Sequence, residues 1–260
     1  MIGQLLWRGM LAGLIAGLLA FAMASTFGEP PLTRAIGFEA SQADGHHHGE
    51  AHSHGATGEG HHHGDGAGIS RATQSSWGLL TGVGVYSTAL GGLFALVFAL
   101  ANGRLGRLSP RALSVLLAAG GFLALVAVPW VKYPPNPPGI GTAATIDLRT
   151  EVYFLLLAVS LSAMMLSVRL ARPLRARLGP WNGVLAAGAL YGLIAAFAWG
   201  LFPTVATIPA HFPAEVLWQF RLSSLGIQVI IWAVLGLVFG ALVERARRRR
   251  QLTGRASATA

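Results

Sequence analysis

The sequence predicts an all-α protein, a polytopic helical membrane bundle of about six transmembrane helices, or five if the first is a cleaved signal. Three observations carry this. The chain is 53% hydrophobic and 11% charged over 260 residues, whereas charged residues make up about a quarter of a soluble domain. Its apolar residues gather in six runs, each close to the ~20 residues that a helix rising ~1.5 Å per residue needs to cross a bilayer core. The runs also lack the period-two alternation of membrane-barrel strands.

The first run, residues 5–27, carries Gly9, Gly13 and Gly17 at four-residue spacing, the packing stripe of a helix that stays in a bundle. Ala22-Met23-Ala24 resembles a small-residue cleavage site, and cleavage would leave five spans. An n-region with Arg8 as its only charge, and the run's length, favour retention. Residues 28–76 read as a connecting loop. Runs at 77–101, 112–131, 151–170, 182–202 and 222–243 then form a five-helix membrane domain over 77–243, and 244–260 is a basic tail. Gly78/Gly82, Gly188/Gly192 and Gly236/Gly240 repeat the four-residue spacing and predict close helix packing at each pair.

Orientation follows from the basic residues in the connections. With the N-terminus in the cytoplasm, fourteen arginines lie inside: Arg8, Arg104, Arg107, Arg111, Arg169, Arg172, Arg175, Arg177 and six of the tail. Five basic residues lie outside: Arg34, Arg71, Lys132, Arg149 and Arg221. The formal charge of +9 therefore reflects membrane topology, and no nucleic-acid partner is expected. The chain has no cysteine, which excludes thiolate metal sites, disulfides and cysteine nucleophiles. Its one lysine, Lys132, is followed by Tyr133, so there is no P-loop GK[ST] sequence. The spans carry no constellation of acid, base and nucleophile, and the protein is not expected to be an enzyme. Their polar content is Ser87, Thr88, Ser160, Ser162, Ser167, Tyr191, Ser223, Ser224 and Gln228, with the pair Met164-Met165. An intramembrane charged ion site would need Asp, Glu or His. Transport would therefore call on a partner or another energy source.

The chemistry gathers between the first two runs. His46, His47, His48, His52, His54, His61, His62 and His63 are eight of the nine histidines, in a stretch free of large apolar residues. Neutral imidazole suits zinc, copper, nickel and cobalt, and Glu50, Glu59 and Asp65 add oxygen donors. Interspersed glycines leave the backbone free to wrap an ion. A purification tag would be terminal and uninterrupted. The bland alternative is a solubilising spacer, since a His-rich tract is a compositional signal. Six of the ten acids also lie in this segment, giving it local negative charge toward an arriving cation.

Further acids mark the outer ends of the spans: Glu29 after the first, Asp147 and Glu151 at the start of the fourth, and Glu215 before the sixth. Asp147 and Glu151 share a helix face if the fourth helix starts early. A helix begun at Pro213 puts Glu215 and Gln219 on one face, and Arg149 and Arg221 could pair with these carboxylates. The functional reading is an oxygen-rich cation vestibule, with His211, the ninth histidine, as a softer ligand. The plain reading is an interfacial salt-bridge collar. Tyr133-Pro134-Pro135-Asn136-Pro137-Pro138-Gly139 predicts an extended, solvated segment, either a spacer or the stiff rim of a pore.

The order of these pieces resembles the CbtA family, the proposed cobalt transporter subunits of bacteria. The residues that carry the resemblance are Trp7-Arg8-Gly9, Gly28-Glu29-Pro30, the His-rich loop, Arg71 and Gln74, Gly120-Gly121-Phe122 with Pro129, and Tyr133 to Gly139. Arg149-Thr150, Phe212-Pro213-Ala214, Phe220-Arg221 and Gln228 complete the set. The resemblance implies a role in cobalt uptake for cobalamin synthesis, often with a small His-bearing membrane subunit, CbtB. That family is usually described with about five spans, against the six counted here.

The resulting expectation is a multi-pass bacterial inner-membrane protein with both termini cytoplasmic. It captures a divalent metal outside and helps pass it inward. The resemblance selects Co²⁺, while the residues equally suit Ni²⁺ or Zn²⁺. No tightly bound cofactor is expected, since the metal is cargo. The partners are the lipid bilayer and a CbtB-like subunit, with a homo-oligomer left open. The alternative is a non-transporting metal-binding accessory or sensor for a partner permease. Efflux fits less well, because the donors face the outside supply.

Overall fold

A computed structural model of the chain describes residues 2–45, 70–106, 108–141, 143–205, 208–209 and 211–256. Six helices are long and apolar enough to cross a membrane: α1 (Ile2–Ser41), α2 (Arg71–Ala101), α3 (Pro110–Lys132), α4 (Ile146–Leu178), α5 (Pro180–Leu201) and α6 (Ala214–Thr253). No strand occurs among the described residues. The histidine tract from His46 to His63 lies outside them.

The bundle assembles by close approach of small residues. A Cβ on Gly9 would fall on the carbonyl oxygen of Gly91, and one on Gly13 would strike the Ser87 carbonyl. α1 and α2 therefore meet backbone to backbone, as small-residue stripes allow in lipid. Gly236 and Gly240 seat α6 on α3 in the same way, their missing Cβ atoms facing Ala118 and Ser114 at 2.8 and 3.0 Å. The remaining glycine pairs behave differently. Gly82, Gly188 and Gly192 have nothing within 4 Å of a built Cβ, and at Gly78 the nearest atom is 3.5 Å away. These face no neighbouring helix, because four-residue spacing marks a face and the partner has to come from elsewhere in the chain.

α6 lies against both α1 and α3, and α4 and α5 pair with each other and dock on the outer half of α3. The main core joins α1, α2, α3 and α6 through Phe94, Phe98 and Phe239, whose rings meet edge to face at 5.5 and 5.0 Å. Four spans contain a single widened π-turn: Ala24–Gly28, Gln74–Gly78, Leu123–Ala127 and Leu235–Phe239. Two of these contain a carbonyl that accepts a bond from another helix. Ser160 Oγ donates to Ala124 O and Ser114 Oγ to Gly236 O, each at 2.8 Å. The other two stand where hydroxyls compete for an i−4 carbonyl. Thr26 donates to Ala22 O at 2.7 Å and Ser76 to Ala72 O at 2.6 Å.

The two ends of the bundle differ in chemistry. At one, Glu244 receives Arg111 at 3.0 Å and Arg248 at 2.7 Å, and Arg250 donates to Gln4. At the other, Arg71 pairs with Glu29 at 2.5 Å and Arg34 donates to Gln219. The first end gathers the start of α1, the last turns of α6 and the α2–α3 turn. The second carries the attachment points of the histidine tract, and "outer" below means this end.

α1 continues well past its apolar stretch. Helical turns run through Glu29–Gly45, held on α6 by Ala35 and Phe38, which pack with Phe212, Val216 and Leu217. The proline-rich segment 133–139 is extended, as expected, but it is not a solvated spacer. Pro137 is fully buried and Ile140 nearly so. The Asn136 side chain accepts from Arg221 at 2.8 Å, which fastens the segment to α6.

Candidate functional site at the outer face

The four acids predicted at the span ends stand at the outer end, on three helices. Glu29, at the α1 π-turn, is held by Arg71. Glu215 opens α6, with Pro213 as the capping residue before Ala214. It accepts from Gln219 Nε2 at 2.8 Å, and Gln219 in turn accepts from Arg34. α4 does start early, at Ile146, so Asp147 and Glu151 share a face, and both are exposed. Arg221 turns to Asn136, and Arg149 to the Ile140 carbonyl at 3.5 Å. No group of three or more His, Asp or Glu side chains comes together among the described residues.

His211 has a neighbour the sequence did not suggest. It lines a crevice of about 330 Å³ with Glu39, Phe38, Gly139 and Pro209. Gly139 turns the backbone here with φ +82°, and a Cβ built on it would stand in ordinary contact with Glu39 Cβ, 3.6 Å away. Glu39 escapes a reading that assigns 28–76 to a loop. The signal was nevertheless present: Pro31, Ala35 and Phe38 recur at helical spacing on the face that packs against α6. An imidazole and a carboxylate are two of the donors a borderline divalent metal accepts, and the helical turns that continue α1 end at Gly45, one residue before His46.

A larger cavity, about 880 Å³, lies under the proline-rich segment between α2, α3, α4 and α6. It extends along α4 from Ile146 to Leu157, about 16 Å at ~1.5 Å per residue. α6 lines it with Ser224, Gln228 and Trp232, and α4 with Arg149, Thr150 and Tyr153. Both sets have the spacing of one helix face, visible only once the partner helices are known. Gly121 explains the seat of Trp232. A Cβ there would strike Cζ3 and lie 2.6 Å from Cη2, so the benzo edge rests on α3 and the N–H edge turns the other way. At the rim, burial pushes the Tyr133 phenol above its ordinary pKa, and its hydroxyl donates to Pro203 O at 2.7 Å. Lys132 Nζ donates to Trp199 O at 2.9 Å, placing a cation at the C-terminal end of α5, where the helix dipole favours it. Asp147 and Glu151 lie on a different face of α4 and do not line this cavity.

No curated protein and no solved structure matches this chain. Residues 2–244, which include every spanning helix up to the basic tail, match the family described as "Probable cobalt transporter subunit (CbtA)", and the chain, a multi-pass helical membrane protein, belongs to that family.

Proposed function

We propose that this protein is the membrane subunit of an uptake system for a divalent transition metal, with cobalt as the cargo. The eight histidines of the 46–63 tract capture the ion outside the cell, and both termini face the cytoplasm of a bacterial inner membrane. The observation that carries the reading is the joining of this tract to the bundle. α1 delivers the chain to Gly45, and Glu39 on its last turns shares a crevice with His211. An ion released by a low-affinity, multi-imidazole tract thus meets an imidazole and a carboxylate at once. Asp147 and Glu151 offer exposed oxygen donors at the same end, and Glu29 and Glu215 offer theirs while held by Arg71 and Gln219. Cobalt rests on family membership, since ligand type alone does not separate it from nickel and zinc.

Accumulation of radioactive cobalt, with nickel and zinc as competitors, in cells with and without the protein tests the proposal. The expected result is cobalt accumulation that depends on the protein and resists competition by zinc. Equal accumulation in both strains removes it.

One observation favours a second reading, a metal-binding accessory or sensor for a partner permease. Among the described residues, the spans between their interfacial turns hold no Asp, Glu or His to carry an ion across. Proteoliposomes decide this. Uptake by the chain alone supports transport. Uptake that needs only a small CbtB-like subunit keeps the subunit reading, and uptake only with a second permease supports the accessory role.

A further inference from the structure

We infer that the 880 Å³ cavity under the proline-rich segment binds an oxyanion, the carboxylate or phosphate group of a small organic molecule or of a lipid headgroup, and not a bare metal cation. The charges on its wall are of one sign. Lys132 and Arg149 line it, and no Asp or Glu is among its described lining residues. A hydrated divalent cation would meet two positive groups and no carboxylate. A planar guanidinium, in contrast, matches the two oxygens of a carboxylate or phosphate.

The uncharged polar atoms point the same way. The Trp232 side chain is only 7% exposed, and its indole N–H has no hydrogen-bond partner among the described residues. With its benzo edge fixed on Gly121, this donor is available to a ligand in the cavity. Trp130 Nε1, on α3, is likewise buried without a partner there. Indole N–H groups only donate, so both call for an acceptor. Gln228 Oε1 is also buried without a partner, and rotation of that amide presents its NH₂ instead. Buried polar groups without partners are rare enough to require an occupant or a function. Thr150 and Ser224 add hydroxyls, and Leu90, Leu125 and Leu157 form an apolar floor. The whole suits an amphiphilic or compact anion such as a polycarboxylate.

Binding itself is independent of the uptake reading, because its test uses no metal. One consequence does rest on that reading: cobalt that passes through this cavity travels as an anionic chelate, and bare cobalt takes another route.

The full chain in neutral phosphatidylcholine nanodiscs is titrated calorimetrically with citrate and with inorganic phosphate. Phospholipid that co-purifies with the chain is identified by mass spectrometry. The expected result is saturable binding of citrate or phosphate, or retention of an anionic phospholipid. Removing a charged hydrogen-bond donor weakens such binding by about tenfold or more, so Arg149→Gln should show that loss while Arg149→Lys loses less. Trp232→Phe keeps the ring on Gly121 and removes only the donor, which guards against a folding failure of Arg149→Gln, and it should also weaken binding. Retained anionic lipid that is lost on Arg149→Gln identifies the lipid as the source, and citrate binding without retained lipid identifies a soluble anion. Absence of both, or wild-type binding by Arg149→Gln and Trp232→Phe, overturns the inference.

Discussion

On the proposed function, the eight histidines of the tract raise the local concentration of the ion by their number. Replacing all eight loop histidines by serine should lower cobalt accumulation at scarce external metal and leave it nearly unchanged at abundant metal. Concentration series of uptake in whole cells read this directly. Loss at every concentration would place the loop on the permeation path. A synthetic peptide of residues 44–66 should release metal as pH falls from about 7.5 to 5.5, because imidazoles with an ordinary pKa of about 6.5 take up protons and cease to be ligands. His211 and Glu39 form the other residue-scale unit, since they line one crevice. His211→Ala should change the preference among cobalt, nickel and zinc more than the total flux, because the imidazole is the softer donor of the two. If the pair holds one ion, Glu39→Gln added to His211→Ala costs little further uptake, whereas independent roles give additive losses. Uptake normalised to protein in the membrane separates both from an expression defect.

Helices in this protein are joined by what they lack. Where Gly13 meets Ser87 O and Gly9 meets Gly91 O, any side chain pushes α1 off α2. Overpacking a well-packed contact costs about 1–3 kcal/mol, and here the obstacle is backbone, which cannot rotate away. Gly13→Leu should therefore lower the thermal unfolding temperature in detergent and the amount of protein recovered. Gly82→Leu, where nothing lies within 4 Å, should leave both unchanged. Equal effects would mean that helix propensity, not packing, governs these sites. The hydroxyl bonds made at the π-turns give a second element-scale test. Ser160 is 1% exposed and joins Ala124 O at 2.8 Å and Tyr191 Oη at 3.0 Å, linking α3, α4 and α5. Ser160→Ala should destabilise by about 0.6–2 kcal/mol, the range for interhelical hydrogen bonds in lipid, as read from unfolding in mixed detergent.

For the molecule as a whole, the question is which end faces the supply. The proposed topology, argued from the fourteen-to-five division of basic residues and the bias of short loops, has the histidine tract outside. The chain has no cysteine, so single cysteines placed at Gly58 and at Ala256 report cleanly. In intact cells an impermeant maleimide should label the first and spare the second. Equal labelling of Ala256 would reverse or dissolve this topology, and with it the proposed direction of uptake. The same experiment bears on α1. Its glycine face is buried against α2 and α6, so the mature protein should keep its N-terminus, as intact mass would show.

The helical membrane architecture, the number of spans and the position of the His-rich tract between the first two spans were legible in the residues alone. These follow from local properties: run length, charge placement and residue type, each readable without knowing what lies next to what. The sequence also foretold the Glu215–Gln219 pair and the shared face of Asp147 and Glu151, because positions four apart on a helix meet whatever the fold. The tertiary structure alone decided which glycines touch a neighbour, that the proline-rich segment is packed as a roof, and that Arg221 turns to Asn136. It also decided that Glu39 lines one crevice with His211, 172 positions away by residue number. Pairings across so long a stretch depend on which helix faces meet, and periodicity within one helix carries no information about its partner. The cavity is the clearest case. Arg149, Trp130, Gln228 and Trp232 come from three helices, and each looks ordinary until the bundle closes around them.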